Sequence, residues 1–280
     1  MADPSQDISD RVKRQMNQPQ IHEAWEKTYR TAENERFFEE AYDDFVRRIG
    51  QPPGSRALDI GCGICANSIR LARRAYIVSA ADYSEPILIQ ARDNVFRQGL
   101  ADRITIARED ILNLSYPSYH FDLVLCWGVL MHIPSAERAV SELVRVTKPG
   151  GFLVLEEINQ HAPEAWLMRI GWSTLKKNIT VTKTPRGYEQ TSHFQGETLF
   201  WRHADPNWLV AEFARSSCSL VRRDSGMFSD MYTYAPGKFL KEAIHGWNRL
   251  WPRRFNLAQP AYHNIFIFQK NRPARSAGRS

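Results

Sequence analysis

The sequence has 280 residues, of which 43% are hydrophobic and 24% charged, as in a globular chain long enough for one α/β domain with an insertion. Its longest apolar runs, at 121–126 and 152–155, are strand-sized and exclude a membrane-spanning helix. Four scattered cysteines exclude a disulfide framework and, with a polar start that lacks a secretory apolar core, predict a cytoplasmic protein. The net charge of +6 is partly terminal, so we interpret it as a solvated basic tail.

The amino-terminal part, residues 1–55, is predicted to be a tail followed by a helical lid. Residues 1–18 show no apolar periodicity, and we expect them to be mobile. Over 22–49, apolar and aromatic side chains recur every three or four residues, which predicts one or two amphipathic helices. Trp25 and Tyr29 would share one helical face.

The central part, residues 56–158, alternates short apolar strands with helical segments. Strands are predicted at 57–60, 77–81, 103–107, 121–126 and 152–156. Helices are predicted at 66–74, 85–98 and 136–146. Such alternation implies parallel strands joined by helical crossovers, and therefore a doubly wound α/β sheet.

The remainder of the chain is less regular at first. Residues 159–204 are rich in Thr, His and aromatic residues without a repeated strand-helix unit, and we interpret them as a cap inserted over the site. Residues 205–270 are predicted to complete the core sheet, starting with Asp205 as helix N-cap and Pro206 in the first turn. Strands near 219–223 and 263–269 would form an antiparallel edge, and residues 271–280 a mobile basic tail.

Polar and glycine residues mark three successive strand ends. Gly61 and Gly63 separate the first strand from its helix, where a missing Cβ lets the backbone bend and approach a ligand. Asp82 ends the second strand about twenty residues later, the spacing at which a carboxylate meets ribose hydroxyls. Asp110 and Ile111 follow the third strand, where they would accept an adenine amino proton and pack on the ring. Together they predict a nucleoside-binding site.

Five segments in this order resemble the motifs of one enzyme family. They are LDIGCG, AADYS, REDIL, FDLVLCWGVLMHIP and VTKPGGFLVLEE, which fall within residues 56–158. The combination resembles the class I S-adenosylmethionine-dependent methyltransferases. The resemblance implies S-adenosyl-L-methionine as cofactor and a Rossmann-like, doubly wound, mostly parallel sheet of seven strands whose last strand is antiparallel.

The resemblance also implies a cofactor site of ten residues: Tyr29, Asp59, Gly61, Gly63, Asp82, Tyr83, Asp110, Ile111, Cys126 and Trp127. Asp59 and the two glycines would line the methionine end, which the helix carrying Tyr29 would close. Asp82 would hold the ribose, Tyr83 and Ile111 would flank the adenine, and Asp110 would bind its amino group. Cys126 and Trp127 would continue the wall of the cofactor site.

The sequence departs from the family at Cys65, where a third glycine is common. This makes a Cys62-x-x-Cys65 pattern, which nominally indicates a metal or redox site. Inside a glycine turn and without a second cysteine pair, we interpret it as part of the cofactor loop and expect no metal.

Three other functions remain open from the sequence. Gly61-x-Gly63-x-x-Ala66 also fits a variant dinucleotide fingerprint, and hence an NAD(P)-dependent dehydrogenase, although Asp59 would repel a pyrophosphate. A catalytically silent cofactor-binding subunit is a second alternative. Basic and aromatic residues intermingle at 247–254, as in a nucleic-acid methyltransferase, but an amphipathic helix with a basic outer face explains them better.

Candidate catalytic residues follow the fourth and fifth strands. Methyl transfer from a sulfonium is an in-line displacement, and an oxygen or carbon nucleophile also needs a base near neutrality. His132 is the first candidate base, and Glu157 and His161, next to Glu156, also face the ligand edge. We expect a small organic acceptor of aromatic or apolar character, with O-methylation favoured over N- or C-methylation, and neither a membrane nor a nucleic acid as partner.

Overall fold

The fold is built on a mainly parallel sheet flanked by helices, and the computed structural model describes it over residues 4–175, 179–194 and 197–273. Its strands are β1 (Arg56–Ile60), β2 (Ile77–Asp82), β3 (Ile104–Arg108), β4 (Phe121–Trp127), β5 (Thr147–Ile158), β6 (Ile179–Thr184), β7 (Gly187–Phe194), β8 (Glu197–Ala204), β9 (Cys218–Ser225) and β10 (His263–Lys270). Its helices are α1 (Pro4–Met16), α2 (Pro19–Tyr29), α3 (Ala32–Ile49), α4 (Ala66–Arg73), α5 (Glu85–Arg97), α6 (Ala136–Val146), α7 (Pro163–Leu175), α8 (Pro206–Arg215) and α9 (Lys238–Arg254).

The larger sheet of the described chain has seven strands in the order β3-β2-β1-β4-β5-β10-β9. β1 pairs in parallel with β2 on one side and with β4 on the other. β10 is antiparallel to both β5 and β9. The predicted doubly wound α/β sheet with an antiparallel last strand is therefore confirmed. Strand order reverses between β1 and β4, and in such sheets ligands bind in the crevice at the carboxyl ends of those strands.

Helices cover both faces of this sheet because alternate side chains of each strand point to opposite sides. Tyr42 of α3 and Leu88 of α5 are fully buried in one apolar layer. Leu143 of α6 and Phe213 of α8 are fully buried in the other. In that second layer the ring of Phe213 stacks on Phe268 of β10 with 4.2 Å between centroids. Two such layers hold the strand ends in fixed positions.

The first eighteen residues depart from the sequence-based expectation. Residues 4–16, which we expected to be mobile, form α1, and Val12 is buried within the fold. Ile8, Val12 and Met16 are spaced four apart and lie on one helical face. In the sequence these apolar residues are separated by polar ones, so the stripe was not recognised there. It is recognisable in the structure, where it contacts the rest of the protein.

Residues 159–204 contain α7 and a separate antiparallel sheet in the order β6-β7-β8. The chain then enters α8, where Asp205 caps the helix by accepting a hydrogen bond from the backbone N–H of Asn207 at 2.8 Å, as predicted. Residues 274–280, most of the predicted basic tail, lie outside the described residues. No helix within the described ranges is long and apolar enough to cross a membrane.

Candidate active site

The glycine turn after β1 has the backbone geometry expected of a ligand loop. Gly61 has φ +71°, and a Cβ there would lie 2.3 Å from Cγ2 of Val129. Gly63 has φ +53°, with open space where a side chain would be. Cys65, at the departure from the family pattern, adopts φ +66° and is the N-cap of α4. The loop therefore keeps a left-handed conformation at that position without a third glycine.

The two carboxylates near the glycine turn, those of Asp82 and Asp110, are oriented by hydrogen bonds. The Asp82 carboxylate accepts hydrogen bonds from the backbone N–H groups of Gly63 and Ser84, both at 3.0 Å. Asp110 accepts one from the backbone N–H of Leu112 at 3.0 Å and another from Nζ of Lys13 at 2.5 Å. Both carboxylates are thus oriented by the backbone at the carboxyl ends of their strands.

These elements surround a cavity of about 260 Å³, which we call the smaller cavity. Seven of the ten residues predicted for the cofactor line it: Gly61, Gly63, Asp82, Tyr83, Asp110, Ile111 and Trp127. Val12, Lys13 and Met16 of α1 also line it. This position of α1 was not predictable from the sequence, because the smaller cavity is formed by segments about a hundred residues apart.

The other three predicted cofactor residues have different surroundings. Asp59 is buried beneath the turn and accepts a hydrogen bond from Oγ of Ser68 at 2.6 Å. Burial raises the pKa of its carboxyl to about 6, and the Ser68 hydrogen bond opposes that rise. Cys126 is buried against the α6 side of the sheet, and burial raises the pKa of its thiol. Tyr29 lines a second cavity.

This second, larger cavity has a volume of about 560 Å³. Three residues line both cavities, namely Trp127, Gly128 and His132, so the cavities adjoin at the end of β4. The apolar part of its wall comes from several elements: Phe38, Met131, Ile158, Met168, Ile179, Leu199, Phe200, Trp201 and Met227. The polar part includes Glu26, Tyr29, Arg30, Glu156, Asp230, Tyr234, Tyr262 and His263.

A buried histidine between two carboxylates forms the polar end of the larger cavity. Nδ1 of His263 is hydrogen-bonded to Oε1 of Glu156, and Nε2 is 2.9 Å from Oδ2 of Asp230. Burial alone would lower the pKa of His263, but Asp230 and Glu156 together raise it well above the usual range. The ring is therefore an imidazolium that donates both N–H groups.

Asp230 keeps one carboxylate oxygen for another donor. Its side chain is 7% exposed, and Oδ1 has no hydrogen-bond partner within the described chain. The backbone N–H of Asp230 donates to Oε1 of Glu164 at 3.0 Å. Burial, with the nearby charge of Asp230, raises the pKa of the Glu164 carboxyl to about 7. A buried carboxylate oxygen in a cavity wall is a site for an O–H or N–H donor.

His132 lies where the two cavities adjoin. Its Nδ1 is 3.0 Å from the backbone oxygen of Phe200, which only accepts, so Nδ1 carries the proton and Nε2 the lone pair. Burial lowers the pKa of this imidazole. His132 is therefore mainly neutral near pH 7, in the tautomer that presents Nε2 as a proton acceptor.

Glu157 and His161, the two other predicted catalytic residues, are absent from the described lining of the larger cavity. Glu157 is buried, and burial together with the charge of Glu156 raises the pKa of its carboxyl well above the usual range. The His161 side chain is 42% exposed, with Nε2 at 3.9 Å from Oδ1 of Asp205. Glu156, which alternates with Glu157 along β5, is the member of that pair that faces the cavity.

No group of three or more His, Cys, Asp or Glu side chains in the described part of the chain is arranged to hold a metal ion. Cys62 and Cys65 are both buried, with their sulfur atoms 3.7 Å apart. The pair lies beneath the glycine turn, within the apolar layer that contains α4 and α5.

Comparison with known proteins places the chain in a family. Residues 58–155 match the family model described as a methyltransferase domain. A ubiquinone biosynthesis O-methyltransferase of Hahella chejuensis is 32% identical over 58% of this chain and 67% of its own length. Methyltransferase GfsG of Streptomyces halstedii is 33% identical over 44% of each chain, and 27-O-demethylrifamycin SV methyltransferase of Amycolatopsis mediterranei is 34% identical over 36% of this chain and 38% of its own. The chain spans about half the length of the curated relatives that it matches.

Solved structures share the fold at low sequence identity. Magnesium protoporphyrin IX methyltransferase from Synechocystis, solved with bound S-adenosylhomocysteine, matches with a TM-score of 0.61 at 17% identity over 93% of this chain and 98% of its own. The [4+2]-cyclase SpnF matches with a TM-score of 0.56 at 18% identity over 84% and 81%. The chain belongs to the class I S-adenosylmethionine-dependent methyltransferases, and S-adenosylmethionine is its cofactor.

Proposed function

We propose that this protein methylates a hydroxyl oxygen of a small, largely apolar organic acceptor, with the cofactor in the smaller cavity and the acceptor in the larger one. The observation that carries the proposal is that the two cavities adjoin at Trp127, Gly128 and His132. The preference for oxygen is supported by relatives named as O-methyltransferases in ubiquinone biosynthesis and as 27-O-demethylrifamycin SV methyltransferase.

The residues around the smaller cavity fit the cofactor. Each oxygen of Asp82 accepts one backbone N–H and retains a lone pair, as two ribose hydroxyls require. Gly61 and Gly63 present backbone without side chains to the methionine end. Asp110 would accept from the adenine amino group beside Ile111 and Tyr83. Asp59 and Cys126 would support the loop from beneath, and Tyr29 would close the site from the larger cavity.

His132 would remove the proton of the acceptor. The bound cofactor supplies a methyl carbon attached to a positively charged sulfur. The acceptor oxygen would attack this carbon in line and displace the sulfur. As the O–C bond would form and the C–S bond break, the O–H proton would move to Nε2 of His132, while Nδ1–H would keep donating to the backbone oxygen of Phe200. Neither Glu157 nor His161 lines the larger cavity. Their effect on the reaction would therefore be indirect, through the positions of the chain segments in which they lie.

Asp230 would orient the acceptor. Its buried Oδ1 would accept a hydrogen bond from a second hydroxyl or amide group of the acceptor, while His263 holds Oδ2 in place. The wall of the larger cavity also contains Met131, Met168 and Met227, whose flexible thioethers adapt to irregular apolar shapes. We therefore propose an apolar or ring-shaped acceptor with at least two polar groups, enclosed by the cap at 159–204.

Calorimetry and a labelled-methyl assay test this proposal together. Micromolar binding of S-adenosylmethionine and S-adenosylhomocysteine, without binding of NADH, is expected. With cofactor carrying a labelled methyl group, a panel of catechols, alkylphenols and apolar secondary alcohols is expected to yield labelled ethers. Label transferred exclusively to amines would overturn the oxygen assignment, and binding without transfer to any acceptor class would favour a silent subunit.

Asp82→Ala separates the cofactor site from the acceptor site. Loss of a charged acceptor of hydrogen bonds is worth about 1.5–3 kcal/mol, so the Kd for S-adenosylhomocysteine should rise about 10- to 100-fold. Asp102→Ala, in an exposed turn after α5, is the matched control and should bind like wild type. Equal affinity of both variants would remove Asp82 from the cofactor site.

A further inference from the structure

α9 presents its apolar side to solvent. Phe239 is 85% exposed, Leu240 45%, Trp247 40% and Leu250 47%. His245 and Asn248, on the opposite side of the helix, are the residues it buries. At 100° per residue the four apolar side chains fall within one third of the helix circumference. We call these four residues the outer face of α9.

This exposure is the reverse of ordinary amphipathic packing. A helix on a globular domain turns its apolar stripe to the core and its polar residues to water. The inner side of α9 instead makes polar contacts: Nδ2 of Asn248 donates to the backbone oxygen of Ser229 at 2.8 Å, and His245 lies over the ring of Tyr232 at 4.4 Å. Within the described residues Phe239 is the most exposed of the four, and the others are partly covered, Trp247 by the ring of Phe228 at 6.0 Å between centroids. A large part of the outer face therefore stays open to a covering partner.

Charge indicates what that partner is. α9 carries five basic residues and a single acidic one: Lys238, Lys241, Arg249, Arg253, Arg254 and Glu242. A second copy of the chain docked face to face would bring the same cations together, which is unfavourable. An anionic lipid surface can bind both the exposed apolar side chains and the basic residues of α9. The apolar side chains enter the acyl boundary, and the basic ones contact the headgroups.

The amino-terminal end of α9 lies within a few residues of a wall residue of the larger cavity. Tyr234 is 59% exposed, lines that cavity and precedes Gly237, the N-cap of α9, by three residues. α7 borders the same cavity through Met168 and exposes Trp166 and Leu167 at 60% and 53%. A surface bound at α9 would therefore adjoin the entrance of the cavity.

We propose that the outer face of α9 docks the protein on an anionic membrane surface, where the larger cavity takes up a lipophilic acceptor from the bilayer. The docking stands on the exposure and charge of α9, whereas the uptake rests on the proposed function. From the sequence we expected no membrane partner, because no segment is long and apolar enough to span a bilayer. A helix lying in the interface needs neither the length nor the continuous apolar run of a spanning helix.

Vesicle sedimentation of the 280-residue chain tests the docking. Vesicles of phosphatidylcholine with about 30% phosphatidylglycerol should carry the protein into the pellet, and pure phosphatidylcholine vesicles or high salt should carry much less. The double variant Phe239→Ser with Leu250→Ser should partition at least about tenfold less, since two exposed apolar side chains leave the interface. Lys238→Gln with Lys241→Gln should weaken the preference for anionic lipid, while the three arginines of α9 retain part of it.

The matched control is Ile89→Ser with Phe96→Ser, which removes two exposed apolar side chains from α5. It should sediment with anionic vesicles like wild type. Wild type that stays in the supernatant, or an α9 variant that binds as well as the α5 control, would overturn the docking. A wild-type dimer that the α9 variant converts to monomer, without vesicle binding, would overturn it in favour of self-association.

S-adenosylhomocysteine binding, measured on every variant, keeps this result apart from the proposed function. Unchanged binding shows that each variant is folded with an intact smaller cavity. Failure of vesicle binding with intact cofactor binding would contradict the docking alone. Failure of wild type to bind S-adenosylhomocysteine would contradict the proposed function alone.

Discussion

Lys13 of α1 donates a hydrogen bond to Asp110 at the end of β3, with Nζ 2.5 Å from Oδ2. The same ammonium lies 5.3 Å from the centre of the Tyr83 ring. One side chain of the amino-terminal helix thus reaches the carboxylate and the ring that are proposed to hold adenine. We therefore expect occupancy of this part of the smaller cavity to depend on the position of α1.

Lys13→Met tests this coupling, because it keeps an apolar stem and removes the charge. The ion pair is partly exposed, so its loss should change the free energy of unfolding by less than about 1 kcal/mol. Amide hydrogen exchange over residues 4–16 should nevertheless accelerate, since α1 loses its bond to Asp110. Lys27→Met on exposed α2 is the control, and equal exchange in both variants would argue against an anchoring role.

Gly61→Ala should destabilise the protein more than Gly63→Ala. Both glycines have positive φ, which costs an L residue about 1–2 kcal/mol. At Gly61 the added methyl group also meets Cγ2 of Val129 at 2.3 Å, whereas at Gly63 it meets open space. The clash should add about 1–3 kcal/mol to the loss measured by urea unfolding without cofactor.

A second substitution isolates the contact. Val129→Ala shortens the opposing side chain, so the double variant with Gly61→Ala should recover part of the added loss and retain the backbone strain. If the two single effects simply add, the 2.3 Å approach does not cause the difference between the glycines.

Local patterns in the sequence predicted the positions of the strands, the glycine turn and the acids at the strand ends. Asp82 and Asp110 were predictable because each directly follows a short apolar strand, and parallel strands place such ends at one edge. Asp59 and Cys126 were assigned to the cofactor wall by their place in the motifs. Their side chains lie beneath the smaller cavity, since a motif gives the position along a strand more readily than the direction of a side chain.

The polar end of the larger cavity was not predictable in this way. Glu156 and His263 are 107 positions apart, and Asp230 is 33 positions from His263. Pairing of β5 with β10 brings the first two together, and a loop preceding α9 adds the third. A histidine at the start of an otherwise apolar strand was the available signal, but its partners depend on strand order. The sheet β6-β7-β8 was likewise not predictable, because its segments show no regular alternation of apolar and polar residues.

Asp59→Asn should remove a pH dependence of stability. Burial raises the pKa of Asp59 from its ordinary value of 3.8 to about 6 in the folded protein. Below pH 3.8 both states are protonated, whereas between 3.8 and 6 unfolding releases a proton, so this group destabilises the fold increasingly as the pH rises. Above pH 6 both states are ionised and the effect is constant, at about 3 kcal/mol.

Urea unfolding of wild type and Asp59→Asn at a series of pH values measures this. The variant should gain stability relative to wild type between pH 4 and pH 6 and keep a constant difference at higher pH. Loss of the charged acceptor for Ser68 shifts the whole curve without changing its slope. A difference independent of pH would show that Asp59 titrates normally in the folded protein.

His132→Ala should lower kcat about 10²- to 10⁴-fold with an acceptor from the labelled-methyl assay, because it removes the proposed proton acceptor. The Kd for S-adenosylhomocysteine should stay within about twofold, since Asp82 and the glycine turn are unchanged. Wild-type kcat should fall at acidic pH as His132 becomes protonated, and the midpoint should lie below the usual histidine value because burial lowers the pKa of this imidazole. His120→Ala provides the control, as it precedes β4 at the opposite edge of the sheet. Wild-type turnover by His132→Ala, or an acidic limb that persists in this variant, would assign the proton to another group, and Asp230 would be the next to replace.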